Sequence, residues 1–329
     1  MCKKYGDPEV LQVSEVEKPI PGDNEVLIRI EATVVAPADC AFRKGSPFIS
    51  RFFTGLIRPR KTPGDVLSGV IEETGRKVSL FKAGDEIYGS SGSCFGTNAE
   101  YIILSEAEAL AIKPAKITFE EAAAISEGSL TALPFLRDNG KLKQGDKILI
   151  IGAAGGVGVY AVQLAKYMGA EVTAVCSSIN HEMVRAIGAD KVIDYTKEDY
   201  TKNREEYDIV FDAVSKSTFS KCKKILKPEG IYLGTIPSIN IMLSMLRTSL
   251  FGSKKAVFAA TGMRTPKEKK KDLEYLNGIV EEGKLQAVID KTYPLEEISK
   301  AHRYVETGHK KGSVVVQIQM ILKKNHIIN

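Results

Sequence analysis

No two of the five cysteines, Cys2, Cys40, Cys94, Cys176 and Cys222, stand in C-x-x-C spacing, and their number is odd. A disulfide framework is therefore not expected, and a reducing cytoplasm is the expected compartment. No signal peptide is expected either, because the start, MCKKYGDPEV, is polar. No apolar run is long enough to span a bilayer, since the most apolar late stretch, SINIMLSMLRTSLFG, is broken by Arg247. That stretch could lie on a membrane surface, but covering a pocket or entering the core is its expected role. No block of one charge sign stands out. The net charge is +5, with lysine and arginine spread along the chain, so no nucleic-acid footprint is expected. A mild positive balance suits a small anionic ligand. No repeat or low-complexity segment is present.

What is present is material for two domains of ordinary size: 329 residues, 43% of them hydrophobic. The first part reads as β-rich. EVLIRIEATVV, GDVLSGVIEETGRKV, GDEIYGSS and AEYIILSEAEALAIKP are strand candidates punctuated by glycine. Near residue 117 the style changes. ITFEEAAAISEG offers a capping box, with Thr118 as cap and Glu121 three residues on. A second helix, LTALPFLRDNG, stops at Asn139-Gly140. Then KILII, EVTAVCS, KVIDY, DIVFDAV, GIYLGTI and AVFAAT follow as six strand candidates, mostly separated by helical patterns. Such alternation implies a mostly parallel, doubly wound sheet. After residue 262 comes a charged amphipathic helix, TPKEKKKDLEYLNGIVEEGKL, whose lysine run reads as a solvated face. VIDKTYPLEEISKAHRYVETGHKKGSVVVQI then gives strand, helix and strand, returning to the first domain. His302 and His309, on that helix and its exit, read as surface residues. No role is read for the final MILKKNHIIN.

The turn between KILII and GVYAVQLAKYM carries the chemistry. Ala153-Ala154-Gly155-Gly156-Val157-Gly158 fits A-x-G-x-x-G, and Gly152-x-x-Gly155-x-x-Gly158 fits a second register. Gly155 would let backbone approach a diphosphate, and Gly158 would let the helix pack close to the sheet. The free N–H groups at the helix start favour a doubly negative group. Tight turns without ligands also use glycine, but strand–turn–helix context favours a dinucleotide site. An acidic residue that binds NAD ribose is expected at the end of the second strand. That region reads Val175-Cys176-Ser177-Ser178-Ile179-Asn180, with no carboxylate. Ser177 and Asn180 could donate to a 2′-phosphate, or could be plain loop residues. NADP is preferred and NAD is less expected.

GAAGGVG, AVQLAKYMGAEVTAVCSS, IGADKVIDY and FDAVSKSTF resemble the medium-chain dehydrogenase/reductase superfamily, most closely its zinc-independent quinone oxidoreductase-like branch. The resemblance extends to YGDPEVLQVSEVEKPIPGDNEVLIRIEATVVAPADCAFRKG and AHRYVETGHKKGSVVV, so it covers nearly the whole chain. It implies an α/β protein. A GroES-like β-rich catalytic domain, split over 1–117 and 263–329, would surround a Rossmann domain at 118–262 with a doubly wound parallel six-stranded sheet. It also implies a homodimer, with AVFAAT as the candidate edge strand. Zinc-dependent members place a cysteine where this chain has Ala36, His-Glu where it has Asp65-Val66, and a cysteine where it has Glu127. The structural zinc lobe needs four cysteines and holds only Cys94 here. No metal is expected. Cys40 lies off the ligand position and reads as a small half-buried residue.

The resemblance marks Asp39 and Arg43 as lining the nicotinamide cleft, Thr131 as touching the nicotinamide, and Tyr195 as packing near the 2′-phosphate. The family's S-x-x-K reads Ser177-Ser178-Ile179-Asn180, and its late Gly-Lys reads Gly312-Ser313, preceded by Lys310 and Lys311. The expected coenzyme ligands are Thr131, Gly152, Ala153, Ala154, Gly155, Gly156, Val157, Gly158, Ser177, Ser178, Asn180, Tyr195 and Lys311. The chain begins several residues later than relatives do, which puts a first edge strand in doubt.

Without a metal, or a Tyr-x-x-x-Lys pair to serve as an acid, an unactivated ketone is a poor hydride acceptor. A quinone or an α,β-unsaturated carbonyl spreads the arriving charge itself. Hydride transfer from NADPH to such a small hydrophobic acceptor is expected, with the proton from water or a weak donor. Asp39 could orient water or hold Arg43, and Glu127 could anchor a polar group or contact a backbone amide. The alternatives are a zinc-free alcohol or aldehyde reductase, a non-catalytic NADPH-binding protein, and a zinc enzyme with unusual ligands.

Overall fold

A computed structural model describes residues 4–60, 62–202 and 205–318. The final MILKKNHIIN and Cys2 lie outside the described residues. Two sheets organise the chain, joined by one long helix.

The first sheet forms around β1 (Glu25–Val34), whose largely continuous burial follows from being flanked on both edges. α1 (Pro37–Lys44) and the short α2 (Arg51–Thr54) come next, then β2 (Val66–Thr74), β3 (Glu86–Ser90), β4 (Tyr101–Ser105) and β5 (Ala109–Ile112). β2 and β3 continue the sheet to β5, while β4 pairs with the first half of β1. Residues 12–20 form no strand.

α3 (Phe119–Pro134) then crosses to the second sheet. Its capping box is the one expected, with the Thr118 hydroxyl accepting from the Glu121 N–H at 3.2 Å. The two helices read between 117 and 140 are otherwise one helix, closed by a π turn at Phe135–Asn139. Gly128 does not end it. A Cβ there would lie 2.1 Å from Tyr160 Cδ2 and 2.3 Å from Gly156 O, so this glycine exists for close approach. α3 packs on β1, β2 and β3.

The second sheet holds β6 (Lys147–Ile151), β7 (Glu171–Cys176), β8 (Lys191–Asp194), β9 (Tyr207–Asp212), β10 (Leu226–Gly234) and β11 (Lys255–Phe258). Among them run α4 (Gly158–Tyr167), α5 (His181–Ala186), α6 (Phe219–Cys222) and α7 (Ile239–Leu250). The order is β11-β10-β9-β6-β7-β8 and every pair is parallel. The direction of winding reverses between β6 and β9, which opens a crevice beyond their carboxyl ends. Ile148, Ile150, Val172, Ile209 and Phe211 share the main core with α3 and α4. Of the two roles expected for α7, covering a pocket and entering the core, the second is not the one it takes. It buries only Ile241 and Thr248, leaving Ile239, Met242, Leu243, Leu246 and Leu250 exposed in one i, i+3, i+4, i+7, i+11 stripe. It is thus not a core helix.

α8 (Pro266–Glu281) follows, and then β12 (Ile289–Pro294), α9 (Ile298–Glu306) and β13 (Ser313–Gln317) return to the first sheet, where β13 pairs with the second half of β1. α9 corrects two readings. His302 is fully buried rather than a surface residue, and Cys40, read as half-buried, is buried beside it, with Sγ 3.4 Å from His302 Nδ1. Burial, and then the nearby Arg43 charge, push the His302 pKa down to about 3, so the imidazole is neutral; burial pushes the Cys40 thiol up to about 12. Among the described residues, no helix is long and apolar enough to cross a membrane.

Candidate coenzyme and active site

The turn 152–158 sits at the reversal point, between β6 and α4. Its glycines differ in purpose. Gly152 has φ +76°, and a Cβ there would lie 2.5 Å from Val214 Cγ1. On Gly158 a Cβ would lie 2.1 Å from Gly152 O, so the turn folds tightly back on the start of α4. Gly155 is the open position: a Cβ there would meet Gly152 O at 3.3 Å and Val214 Cγ1 at 3.7 Å. Ala153 and Ala154 are buried beneath, and Val157 begins α4 with no side-chain cap on its amides. The Val159 N–H donates to Gly155 O and the Gly155 N–H to Gly152 O, each at 3.0 Å, so a diphosphate would use the other amides of the turn. The turn therefore fits the dinucleotide that its motif implies.

Two other segments close on this turn. After β9, the Asp212 carboxylate accepts from the N–H groups of Val214 (3.3 Å), Lys216 (3.2 Å) and Ser217 (2.7 Å) and from Tyr232 Oη (2.9 Å). This carboxylate shapes the loop that lays Val214 over Gly152. From the entrance to β13, the Gly312 N–H donates to Ala154 O at 2.8 Å, and Gly312 pairs with Gly155 in an isolated parallel bridge. Lys311 uses its backbone N–H on Asp290 Oδ2 at 2.9 Å, whereas the Lys310 ammonium donates to Gly312 O at 2.7 Å.

Beyond β7, Asn180 Nδ2 donates to Ser177 Oγ at 3.2 Å, while Asn180 Oδ1 and His181 Nε2 are buried with no hydrogen-bond partner among the described residues. Ser178 and Tyr195 are exposed. Asp194 was not singled out in the sequence. Parallel pairing sets it opposite Cys176, so a buried carboxylate stands at the end of the third strand, next to the position where one was sought at the second. Its Oδ1 accepts from Thr196 N (3.0 Å) and Thr196 Oγ1 (2.6 Å).

The remaining candidates gather around α1 and α3. Asp39 Oδ2 accepts from the Ala36 N–H at 2.8 Å. Burial pushes its carboxyl up to about 7 against that hydrogen bond, with the negative charges of Asp65 and Glu127 adding to the rise. Arg43 does not pair with Asp39. Its buried guanidinium donates to Gly6 O at 2.8 Å and forms an ion pair with Glu306. Asp39 and Arg43 do share a small cavity of about 20 Å³ with Phe42, Thr54 and Phe95. Glu127 lies on α3 one helical turn before Thr131. Its Oε2 is buried without a hydrogen-bond partner among the described residues, and burial pushes its carboxyl up despite Lys310. Asp65 Oδ1 accepts from Ser90 Oγ at 2.7 Å.

The profile of the alcohol dehydrogenase GroES-like domain matches residues 22–115, and that of the zinc-binding dehydrogenase matches residues 187–316. A chloroplast envelope quinone oxidoreductase homolog of Arabidopsis thaliana is 33% identical over 320 residues, covering 93% of this chain and 94% of that protein. The chain is a medium-chain dehydrogenase/reductase of the quinone oxidoreductase-like branch. An NADPH-dependent alkenal/one oxidoreductase, chloroplastic, from the same plant is 32% identical, covering 95% of this chain and 77% of that one. The structure of the quinone oxidoreductase from Coxiella burnetii superposes with a TM-score of 0.85 at 29% identity, covering 96% of this chain and 98% of that one. A GroES-like domain beside a Rossmann-type parallel sheet is thus the fold.

The zinc implied by one matching profile does not fit this medium-chain reductase. Where ligands would stand, the chain offers Ala36, Asp65 followed by Val66, and Glu127, with neither thiolate nor imidazole. Asp65 is engaged by Ser90 and Asp39 by a backbone amide. No group of three or more candidate ligands occurs among the described residues.

Proposed function

We propose that the chain is an NADPH-dependent oxidoreductase that transfers a hydride to a quinone or an α,β-unsaturated carbonyl without a metal. When bound, the reduced nicotinamide supplies the hydride. The protein supplies position and charge. The turn from Gly152 through Gly158 would hold the diphosphate, with Val214 packed behind it. Ser177, Ser178, Asn180 and Tyr195 would take the 2′-phosphate of NADPH, and Thr131 would face the nicotinamide. A conjugated acceptor spreads the arriving charge over its own π-system, so the site needs only to deliver one proton. Asp39, which titrates near 7, and Glu127 are the groups able to hold that proton, directly or through water.

One observation carries this reading. An open glycine position at the strand reversal lies in a chain whose metal-ligand positions carry alanine and carboxylates. NADPH oxidation with a panel of quinones, enones and simple aldehydes tests it. Turnover of the conjugated acceptors alone supports the proposal. Equal or better turnover of simple aldehydes would replace it with an alcohol or aldehyde reductase, and tight NADPH binding without any turnover would replace it with a non-catalytic binder. Metal analysis of the active protein tests the zinc-free part.

The same reading extends to assembly. β11 is an edge strand, paired only with β10, and α7 packs on it with its apolar stripe exposed. We take the strand edge and the stripe together as the homodimer face, and sedimentation of Leu246→Asp tests it. We propose domain boundaries near 117 and 262, a division that the two separate sheets support. No disulfide joins the described cysteines, which suits the cytoplasm.

A further inference from the structure

We infer that Lys310 is the cation that receives the coenzyme's diphosphate, an inference that rests on the coenzyme reading above. The geometry begins with Gly156, at the middle of the turn. A Cβ placed on it would lie 2.5 Å from Lys310 Nζ, 3.0 Å from Glu127 Oε2 and 3.5 Å from Gly312 O. The ammonium therefore sits against Gly156, one residue from the open Gly155 position that a diphosphate must approach. It is held there by backbone, through its 2.7 Å hydrogen bond to Gly312 O. Gly312 in turn is fixed to the turn by its N–H on Ala154 O at 2.8 Å. Gly312 has φ +68°, and a Cβ on it would meet Val288 O at 2.1 Å, so this segment has little freedom to move away.

The charge balance gives the lysine its purpose. Glu127 places a carboxylate oxygen without a hydrogen-bond partner beside the same glycine. A dinucleotide brings two more negative charges to the turn. Amide dipoles at the start of α4 offset part of that repulsion, and Lys310 supplies a whole charge at the required place. An ammonium has three donors, so it can keep Gly312 O and still donate to phosphate oxygens. The contact involves the part of the molecule that NADPH, NADH and ADP-ribose share. Lys310 thus strengthens binding of all three without choosing among them.

The test is calorimetric affinity of the full chain for NADPH, NADH and ADP-ribose, with AMP as a probe lacking the second phosphate. Lys310→Met is expected to weaken the first three by a similar factor, about tenfold to a hundredfold, the range for a hydrogen bond to a charged group. AMP should be affected less, and Lys310→Arg should restore most of the loss. Lys300→Met, at an exposed lysine of α9 paired with Glu297, should leave ADP-ribose binding within about twofold, a change worth less than the weakest such hydrogen bond. Unchanged thermal melting shows that the variants are folded. ADP-ribose affinity retained in Lys310→Met, or lost equally in Lys300→Met, overturns the inference. A loss confined to NADPH also overturns it, since that would place the lysine at the 2′-phosphate. If the wild-type chain binds none of the probes, the coenzyme reading itself has failed.

Discussion

Adding one methyl group at two neighbouring glycines should separate binding from stability. Gly155→Ala places its Cβ 3.3 Å from Gly152 O, a contact that a shift of a few tenths of an ångström relieves. Its φ is not in the left-handed region, so alanine fits the backbone. The fold should survive with a change below about 1 kcal/mol. The methyl nevertheless projects from the one open position in the turn, where a diphosphate must meet bare backbone. NADPH affinity should fall at least tenfold, equivalent to about 1.4 kcal/mol. Gly158→Ala behaves differently. Its Cβ would lie 2.1 Å from Gly152 O and 2.8 Å from Ala153 Cα, and neither backbone atom can swing aside. Relief requires α4 to lift from the turn, at a cost of about 1–3 kcal/mol or more. Denaturant unfolding and isothermal calorimetry on both variants provide the assay. If Gly155→Ala binds NADPH as the wild type does, the turn is not the cradle. If Gly158→Ala melts with the wild type, the packing argument is wrong.

Four further outcomes are expected. The Asp39 carboxyl titrates near 7 in the fold and near about 4 when unfolded, so the folded state retains a proton that the unfolded chain gives up. It lowers stability as pH rises between those values, and Asp39→Asn should flatten that part of the urea stability profile. His302 titrates near 3 in the fold against about 6.5 unfolded. The unfolded chain binds the extra proton, stability falls as pH drops through that window, and His302→Leu should remove the slope. Glu127 is held above its ordinary value by burial, and a bound diphosphate would raise it further. NADPH affinity should therefore weaken as pH rises through its titration, and in Glu127→Gln this pH dependence should be lost. Gly278 lies exposed inside α8 with nothing within 4 Å of a Cβ, so Gly278→Ala should stabilise the protein by about 0.5–1 kcal/mol in urea unfolding.

Much of the fold was legible because each strand carries its own pattern. The six segments read as parallel strands are β6 to β11, and the return of the tail to the first sheet is β12 and β13 on β1. The departures have physical reasons. The two helices read on either side of Gly128 are one, and local sequence cannot show that Tyr160 and Gly156 press against this glycine. α7 was open to both a pocket-covering and a core role because composition records how apolar a stripe is but not what covers it. His302 is the instructive case. Ile298, Ala301, His302 and Val305 are the buried positions of α9, spaced i, i+3, i+4 and i+7. The periodicity of the helix placed the histidine on the inner face, and residue type alone suggested otherwise.

The site divides in the same way between local and distant. The cradle is one continuous run, 152–158, and its glycine spacing is a property of the chain that survives without any structure. What surrounds the proposed cradle comes from elsewhere: the carboxylate of Glu127 from α3, the packing of Val214 through the Asp212 network, and the ammonium of Lys310 from the approach to β13. The two lysines show the limit most clearly. Lys310 and Lys311 are neighbours in sequence and chemically identical, two residues and one residue before Gly312. The Lys310 ammonium is held on Gly312 O, while the Lys311 backbone N–H is fixed on Asp290 and the next residue hooks onto Ala154. That hook depends on β13 pairing with β1 more than 280 residues earlier in the chain, and Val34↔Val315 is part of the register that sets it. The charge proposed for the coenzyme site is therefore specified by sheet register, and a motif search confined to the turn would miss it.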